Sequence, residues 1–483
     1  MGRTTLDVVP VEAGRWYADQ GDWMSTPTVA DKTIPVVRGL PVVGSVADLA
    51  RDPAAFFVRS YLEHGPVFRV RALNRTLTVL AGPELARWMG SRDGQASLRS
   101  KEVWQGLVDE YGATRTLTGV DGPEHRRLRE VMRRGYSREA LRGRLDDVVA
   151  ITDGCLDQDW RAGTAVPVVT AIQYMVTSQL GILLTGHAPR EYVTDIRTVI
   201  LYILNALVTE QRPAIVLKRP KYRRAKARVN ELGRQMIRDH RSRPPAVGDA
   251  RTLVDDIMDA HDRDPSLVSA DDLVLALTGP YVAGLDTVAN TLSSLVYAVL
   301  KHPDVLERVR AEADAVFARG PVTEASLADV PSINGAVMEA MRLYPIAVAQ
   351  PRVADRDFEY AGYRIREGEA VYCAVTVPHF LPEFFPNPQA FDIDRYSPER
   401  REHATPGAYA PFGKGPHTCL GKGIADVQMT LTAARLFHRL DLALDPPDYV
   451  LRRKAAPTPG PTMGFRVRVT GVRRPGLSPE STG

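Results

Sequence analysis

Between Asp271 and Leu300 apolar side chains recur every three or four positions: Val274, Leu277, Tyr281, Leu285, Val288, Leu292, Leu295 and Val299. The pattern predicts a helix of roughly 45 Å, long enough to cross a whole domain. His302-Pro303 ends it, because the residue before a proline disfavours helical backbone. Most of the remaining chain also has helical period. The exceptions are 66–80, which alternates like a hairpin with Asn74 near its turn, and strand-like runs at 358–377 and 447–470. No linker and no internal repeat interrupts the pattern, so the expected architecture is one large, mainly α domain with a small β portion. Its expected extent is 36–471, after an irregular N-terminal segment at 1–35 and before a disordered C-terminal tail at 472–483.

Composition narrows the class without naming a function. Hydrophobic residues make up 44% and charged residues 25% of 483, which excludes disorder, collagen and coiled coil. Lys and Arg number 62 against 58 Asp and Glu, a net charge of +4, too small to announce a nucleic-acid partner. The three cysteines, Cys155, Cys373 and Cys419, lie far apart with no CxxC pair, against both a disulfide framework and a structural zinc site. A reducing, cytoplasmic setting fits them. The first thirty residues mix charges with Trp16, Tyr17 and Trp23 and hold no apolar signal core, and no uninterrupted apolar run of the ~20 residues needed to span a bilayer occurs. Neither secretion nor a membrane anchor is therefore expected.

The most informative segment is Phe412-Gly413-Lys-Gly-Pro-His417-Thr-Cys419-Leu-Gly421, a glycine-rich loop running into a helical pattern from Ile424 to Leu440. Glycines let backbone curl close to a bulky planar group, and free N–H groups at the helix start favour a thiolate at Cys419. Cys155 and Cys373, in helix-like and strand-like runs, read as small buried hydrophobes. The loop closely resembles the haem-binding signature of the cytochrome P-450 family, meeting each of its positions. By that resemblance Cys419 is the proximal thiolate ligand of haem iron, with Phe412 and Gly413 against the cofactor. A thiolate pushes electron density onto iron and favours O–O cleavage.

Three further segments follow in the family's order. Glu339 and Arg342 stand three apart on one helical face, a pairing that alone reads as a surface ion pair worth a few tenths of a kcal/mol. Arg395 follows 53 residues after Arg342 and 24 before Cys419, where the family places the second arginine of its structural triad. Ile393 stands where the family usually has proline. On the long helix, Ala283-Gly284-Leu-Asp286-Thr287 resembles the oxygen-activation motif, in which Asp286 and Thr287 hold water and relay protons. Read alone, Thr287 would bond back to the carbonyl of Ala283, and Asp286 would face solvent or a salt bridge. Gly284 costs up to ~1 kcal/mol in mid-helix, which close approach of a ligand would compensate. Pro280 cannot donate to the carbonyl of Ala276 and should bend or split the helix there.

Asp121-Gly-Pro123-Glu124-His125 opens a helix with a capping aspartate, and His125 and Arg129 share its face one turn apart. The resemblance implies that these two, with Arg352 and His417, bind the haem propionates through charge-assisted bonds. Arg126, Arg127, Arg133 and Arg134, with Lys414 and Lys422, would form a positive surface steering an acidic electron donor. The basic run Lys218–Arg228 reads as a solvated helix face; the resemblance implies that it lies near the substrate entrance, with Val199–Leu207 helping to form a pocket roof. The resemblance runs from Gly39–Gly44, similar to the family's N-terminal entry, to Pro461–Phe465, its last substrate-lining turn.

The fold so implied is a single haem-thiolate domain with haem b, iron protoporphyrin IX, between the long helix and the cysteine-loop helix. The activity implied is monooxygenation: one atom of O2 enters a lipophilic small molecule such as a terpenoid, steroid or polyketide. Pocket candidates are Trp104, Leu107, Val108, Tyr281, Val282, Ile346, Val348 and Met463, a largely apolar set. Only 64 residues follow Cys419, and no flavin or nicotinamide fingerprint occurs in a strand-to-helix setting, so a separate ferredoxin and its reductase are expected as electron donors to a monomer. Two rivals remain: a haem-thiolate isomerase, dehydratase or peroxygenase, which would work without redox partners, and a non-enzymatic haem-binding regulator, which would bind DNA in a salt-dependent way.

Overall fold

The long helix runs from Leu273 to Lys301 and continues unbroken through Pro280. The expected split is not found. Leu277, Tyr281 and Leu285 are fully buried and the helix packs along Val168–Leu180, and such tertiary burial outweighs the ~3 kcal/mol that an interior proline costs. His302 takes extended backbone, and Pro303 opens the next helix, Pro303–Ala318, where a missing N–H costs nothing. The structure, a computed structural model, describes residues 32–243 and 251–473. Most of the expected N-terminal segment (1–31) and most of the expected tail (474–483) lie outside the described residues.

Around the long helix pack Leu145–Asp159, Val168–Leu180, Pro220–Ser242, Pro331–Leu343 and the cysteine-loop helix Lys422–Arg439. Buried polar groups fix their register. Gln179 Nε2 donates to Thr152 Oγ1 at 2.9 Å and Thr432 Oγ1 at 3.0 Å, and Gln428 Nε2 donates to Gln179 Oε1 at 2.7 Å. Three helices are thereby held by one chain of bonds, each of which is costly to leave unmade in the interior. Val168–Thr185 and Ala270–Lys301 are long and apolar enough to cross a membrane, but 83% and 72% of these windows are buried inside the fold. Core helices meet the same compositional test.

The sheet portion is small. Val67–Ala72 and Arg75–Ala81 form the expected hairpin, turning at Leu73-Asn74, and the second strand pairs in parallel with Ala370–Ala374. Gln350–Ala354 and Leu98–Arg99 complete that sheet. A second sheet joins Ala165–Pro167, Arg466–Val472 and Leu440–Asp445, and a short hairpin pairs Arg453-Lys454 with Gly460-Pro461. Strands Gln350–Ala354 and Leu440–Asp445 carried no recognised alternation in the sequence. Cys155 and Cys373 are buried as expected, and burial pushes both thiols up, Cys373 to about 12.

Candidate active site

The cysteine loop is a closed turn. Cys419 N donates to the Phe412 carbonyl at 3.0 Å, while Thr418 donates through both N and Oγ1 to the Gly415 carbonyl. Gly413 has φ +72°, a conformation that favours glycine, and a Cβ there would lie 2.4 Å from Gln350 Nε2 and displace that amide. Lys422 Nζ lies 5.8 Å above the Phe412 ring. Cys419 itself is solvent-accessible, yet enough protein surrounds it that burial pushes its thiol up. The N–H groups of Gly421 and Lys422 and the charge of Arg129 favour the thiolate as expected, but burial outweighs them. A thiol both accessible and desolvated lies at the bottom of a recess.

The long helix presents a matching feature. Tyr281, Leu285 and Ala289 are fully buried, whereas Ala283 and Thr287, one turn apart, are exposed. An accessible stripe midway along a core helix is one wall of an internal hollow. Thr287 Oγ1 donates back to the Ala283 carbonyl at 2.8 Å. Asp286 is buried, with Gln173 Nε2 donating to its Oδ1 at 2.7 Å and Lys454 Nζ 3.7 Å from its Oδ2. A Cβ at Gly284 would lie 2.4 Å from Leu180 Cδ1, so the glycine also accommodates a neighbouring helix.

Four cationic or imidazole groups from three segments converge near the loop. The His125 and His417 rings lie 4.2 Å apart, and burial, then His417 and Arg129, with a smaller contribution from Arg352, push His125 down to about 4. Among the described residues neither Arg129 nor Arg352 has a carboxylate in ion-pair contact, and burial lowers both. Arg352 Nη1 reaches only the Pro351 carbonyl. Asp121 does not cap its helix. Its carboxylate accepts instead from Ser100 N at 2.8 Å, Lys101 N at 3.2 Å and His417 Nε2 at 2.8 Å. Burial raises this carboxyl, but those donors hold it below its ordinary value. The tertiary partners outbid the local cap.

Glu339, Arg342 and Arg395 form a fully buried cage. Glu339 receives Arg342 Nη2 at 2.7 Å, Arg395 Nε at 3.1 Å and the Tyr396 hydroxyl at 2.6 Å. Arg342 also donates to the carbonyls of His379 and Pro388, and Arg395 to those of Pro386 and Asn387. Glu402, which sequence reading missed, accepts from Arg395 Nη1 at 2.9 Å and balances the second arginine. Gln173 and Lys454 were missed likewise, since partners over a hundred residues away leave no local signal.

The pocket candidates divide. Tyr281 is not a lining residue: its ring is fully buried and its hydroxyl meets Thr185 Oγ1 at 2.6 Å. Two residues before Ala283 on a helix, it points to the opposite side. Leu107 and Val348 are closed into separate core clusters and Val108 is also buried, whereas Trp104, Val282, Ile346 and Met463 are half-buried. A surface cavity of about 640 Å³ is lined by Gly106, Leu207, Leu217, Lys218, Tyr222 and Arg223 among others, joining the apolar roof segment to the basic run. No residue of the Cys419 recess lines it. The expected steering surface is largely neutralised, because Arg127 pairs with Asp264, Arg134 with Asp256 and Arg133 with Glu130. Arg126 and Lys414 have no carboxylate partner among the described residues.

The cytochrome P-450 family model matches residues 34–459. The chain belongs to the cytochrome P-450 family. A putative cytochrome P-450 120 of Synechocystis is 25% identical over 432 residues, 89% of this chain and 95% of that one. A sterol 14alpha-demethylase of Mycolicibacterium vanbaalenii is 30% identical over 230 residues, 47% of this chain and 51% of that one. Among solved structures, retinoic acid bound cyanobacterial CYP120A1 superposes with TM-score 0.78 at 24% identity, covering 91% of this chain and 99% of that one. This cytochrome P-450 is thus an oxidoreductase of the monooxygenase class with a haem iron cofactor. Its residues fit that cofactor: a recessed accessible thiol, an open stripe on the helix across the core, and two arginines without carboxylate partners beside two imidazoles.

Proposed function

We propose that this cytochrome P-450 holds iron protoporphyrin IX through Cys419 and inserts one atom of O2 into a lipophilic small molecule, by hydroxylation or epoxidation. The recessed, accessible Cys419 thiol carries the reading, because a cation that coordinates a thiol deprotonates it outright and overrides the effect of burial. Arg129 and Arg352, with His125 and His417, receive the two propionates, whose charges compensate guanidiniums that burial disfavours. When bound, the haem iron supplies the activation of dioxygen. The protein supplies position and protons. Ala283 leaves the face of the long helix open, Thr287 offers a hydroxyl to water in the hollow, and Asp286 moves protons to it from behind. Glu339, Arg342 and Arg395 brace the chain behind the loop without touching substrate.

A steroid, terpenoid or polyketide is the substrate class we favour. The half-buried Trp104, Val282, Ile346 and Met463 support it, as does the name of the sterol 14alpha-demethylase relative. Electrons come from a separate ferredoxin and its reductase, drawn to the unpaired Arg126 and Lys414 with Lys422; the protein works as a cytoplasmic monomer. The retained Asp286-Thr287 pair favours monooxygenation over isomerase or peroxygenase chemistry. The test is NADPH-dependent turnover of a steroid and terpenoid panel with ferredoxin and reductase. Spin-state shifts followed by oxygenated product support the reading, and turnover that needs neither NADPH nor partner proteins overturns it.

A further inference from the structure

Asp286 is buried, yet only one of its carboxylate oxygens is satisfied: Oδ1 accepts from Gln173, while Oδ2 has no hydrogen-bond partner among the described residues. An orphaned buried carboxylate oxygen is costly and asks for an explanation. The group facing it is Lys454 Nζ, at 3.7 Å. Lys454 spans two environments, since a quarter of its side chain is exposed while the carboxylate side is enclosed.

This placement is built. Lys454 belongs to the hairpin in which it pairs with Gly460. That hairpin docks on the long helix one turn after Asp286: Asn290 Nδ2 donates to the Pro459 carbonyl at 3.2 Å, and a Cβ on Gly460 would lie 2.4 Å from Asn290 Cγ. The close fit fixes the register that puts the Lys454 ammonium over Asp286. The charged groups facing Lys454 are Asp286 on the long helix and Arg197 on the helix Val193–Ile203.

We propose that Lys454 is the proton port of this enzyme, the positioning residue through which protons from bulk water reach Asp286. The proposal rests on the reading of Asp286 as the proton-moving group of the hollow. In the step, an Nζ–H bond of Lys454 breaks and an O–H bond forms at Asp286 Oδ2. The neutral amine then takes a proton from bulk water at its exposed end, leaving hydroxide to the solvent, and the new O–H bond of Asp286 breaks as that same proton passes to water beside Thr287, which restores the carboxylate. A lysine suits the task because its charge is a point on a flexible stem and burial eases loss of the proton; an arginine would hold the charge and never release it. Burial, followed by the repulsion of Arg197, lowers the Lys454 ammonium against the attraction of Asp286, in the direction such a donor needs.

The experiment compares Lys454→Arg, Lys454→Met and Asp286→Asn in the haem-loaded protein. With progesterone as probe and saturating ferredoxin and reductase, NADPH oxidation and its solvent deuterium isotope effect are measured from pH 6 to 9. Tenfold or greater loss in Lys454→Met, not rescued by Lys454→Arg, with a larger isotope effect in both, supports the port. A wild-type rate in Lys454→Arg overturns it and leaves a purely electrostatic role. If Asp286→Asn keeps the wild-type rate, the Asp286 reading itself falls; if only Asp286→Asn is slow, the port alone falls. Independently of turnover, carbon-13 NMR of the reductively methylated protein, with Lys454 assigned by Lys454→Arg, follows the amine itself. The proposal expects it to titrate below the surface lysines and lower still in Asp286→Asn. Titration with the surface lysines, indifferent to Asp286→Asn, overturns it.

Discussion

Two arginine-rich regions flank the cysteine loop, and they differ in one respect: who balances the charge. In the cage around Glu339 every guanidinium is paired, Arg342 and Arg395 being matched by Glu339 and Glu402 and by five backbone carbonyls. Around His125, Arg129 and Arg352 are disfavoured by burial and, among the described residues, have no carboxylate in ion-pair contact. A region that balances itself needs no ligand to satisfy its charges. The region left unbalanced is the one that we propose receives the propionates, because an unpaired buried charge is costly.

The contrast is broken most severely from the cage side. Arg342→Leu leaves the Glu339 carboxylate short of its main partner in a fully buried site, with an expected loss of about 3–5 kcal/mol. Thermal melts of haem-free and haem-loaded protein should both fall. At the other region the sign reverses: Arg352→Gln should leave haem-free stability unchanged or improved, while haem affinity drops about 10- to 100-fold with the lost charge-assisted bond. Equal destabilisation of the haem-free protein by both variants would erase the distinction.

A pH dependence sharpens the cage. His379, whose carbonyl accepts from Arg342, is held by burial at about 3 against 6.5 for the ordinary group. The unfolded chain therefore binds a proton that the fold refuses, so stability is full above pH 6.5 and declines as pH falls toward 3. Between pH 6 and 4, wild type should lose about 1.4 kcal/mol per pH unit more than His379→Gln, read from denaturant midpoints. The smallest effect lies on the long helix. Gly284→Ala should change stability by less than about 1 kcal/mol, because the helix propensity gained offsets the displacement of the Leu180 methyl group, as read from denaturant midpoints.

The legible parts of this protein are those in which chemistry is written in consecutive residues. The Cys419 loop, the Glu339-Arg342 turn and the Ala283–Thr287 stretch each bring their groups together within a few residues, so the resemblance to the family's motifs could be read there position by position, where spacing alone proposed only a surface ion pair and a back-bonded threonine. The long helix was legible for the same reason, its period being local. What was hidden depends on distant partners. Asp121 fits a helix cap by sequence, yet His417, 296 residues away, takes its carboxylate. Lys454 sits in an unremarkable run and acquires meaning only through Asp286, while Glu402, only seven residues from Arg395, was hidden because an irregular turn, not helical spacing, joins them. Tyr281 was misplaced because neighbours in sequence on a helix are separated by 100° of rotation, and only packing decides which side opens. The same holds for the paired arginines Arg127, Arg133 and Arg134, whose neutralising acids include Asp264 and Asp256 from another helix and its following turn.

The central claim is that the Cys419 sulfur is the haem iron ligand. The most direct measurement is the absorption spectrum of the purified, haem-loaded, reduced protein under carbon monoxide, compared with Cys419→Ala. The account predicts the red-shifted band of a thiolate-ligated haem in wild type and its loss in the variant. A folded, haem-loaded wild type without that band, or a variant that keeps it, would contradict the account.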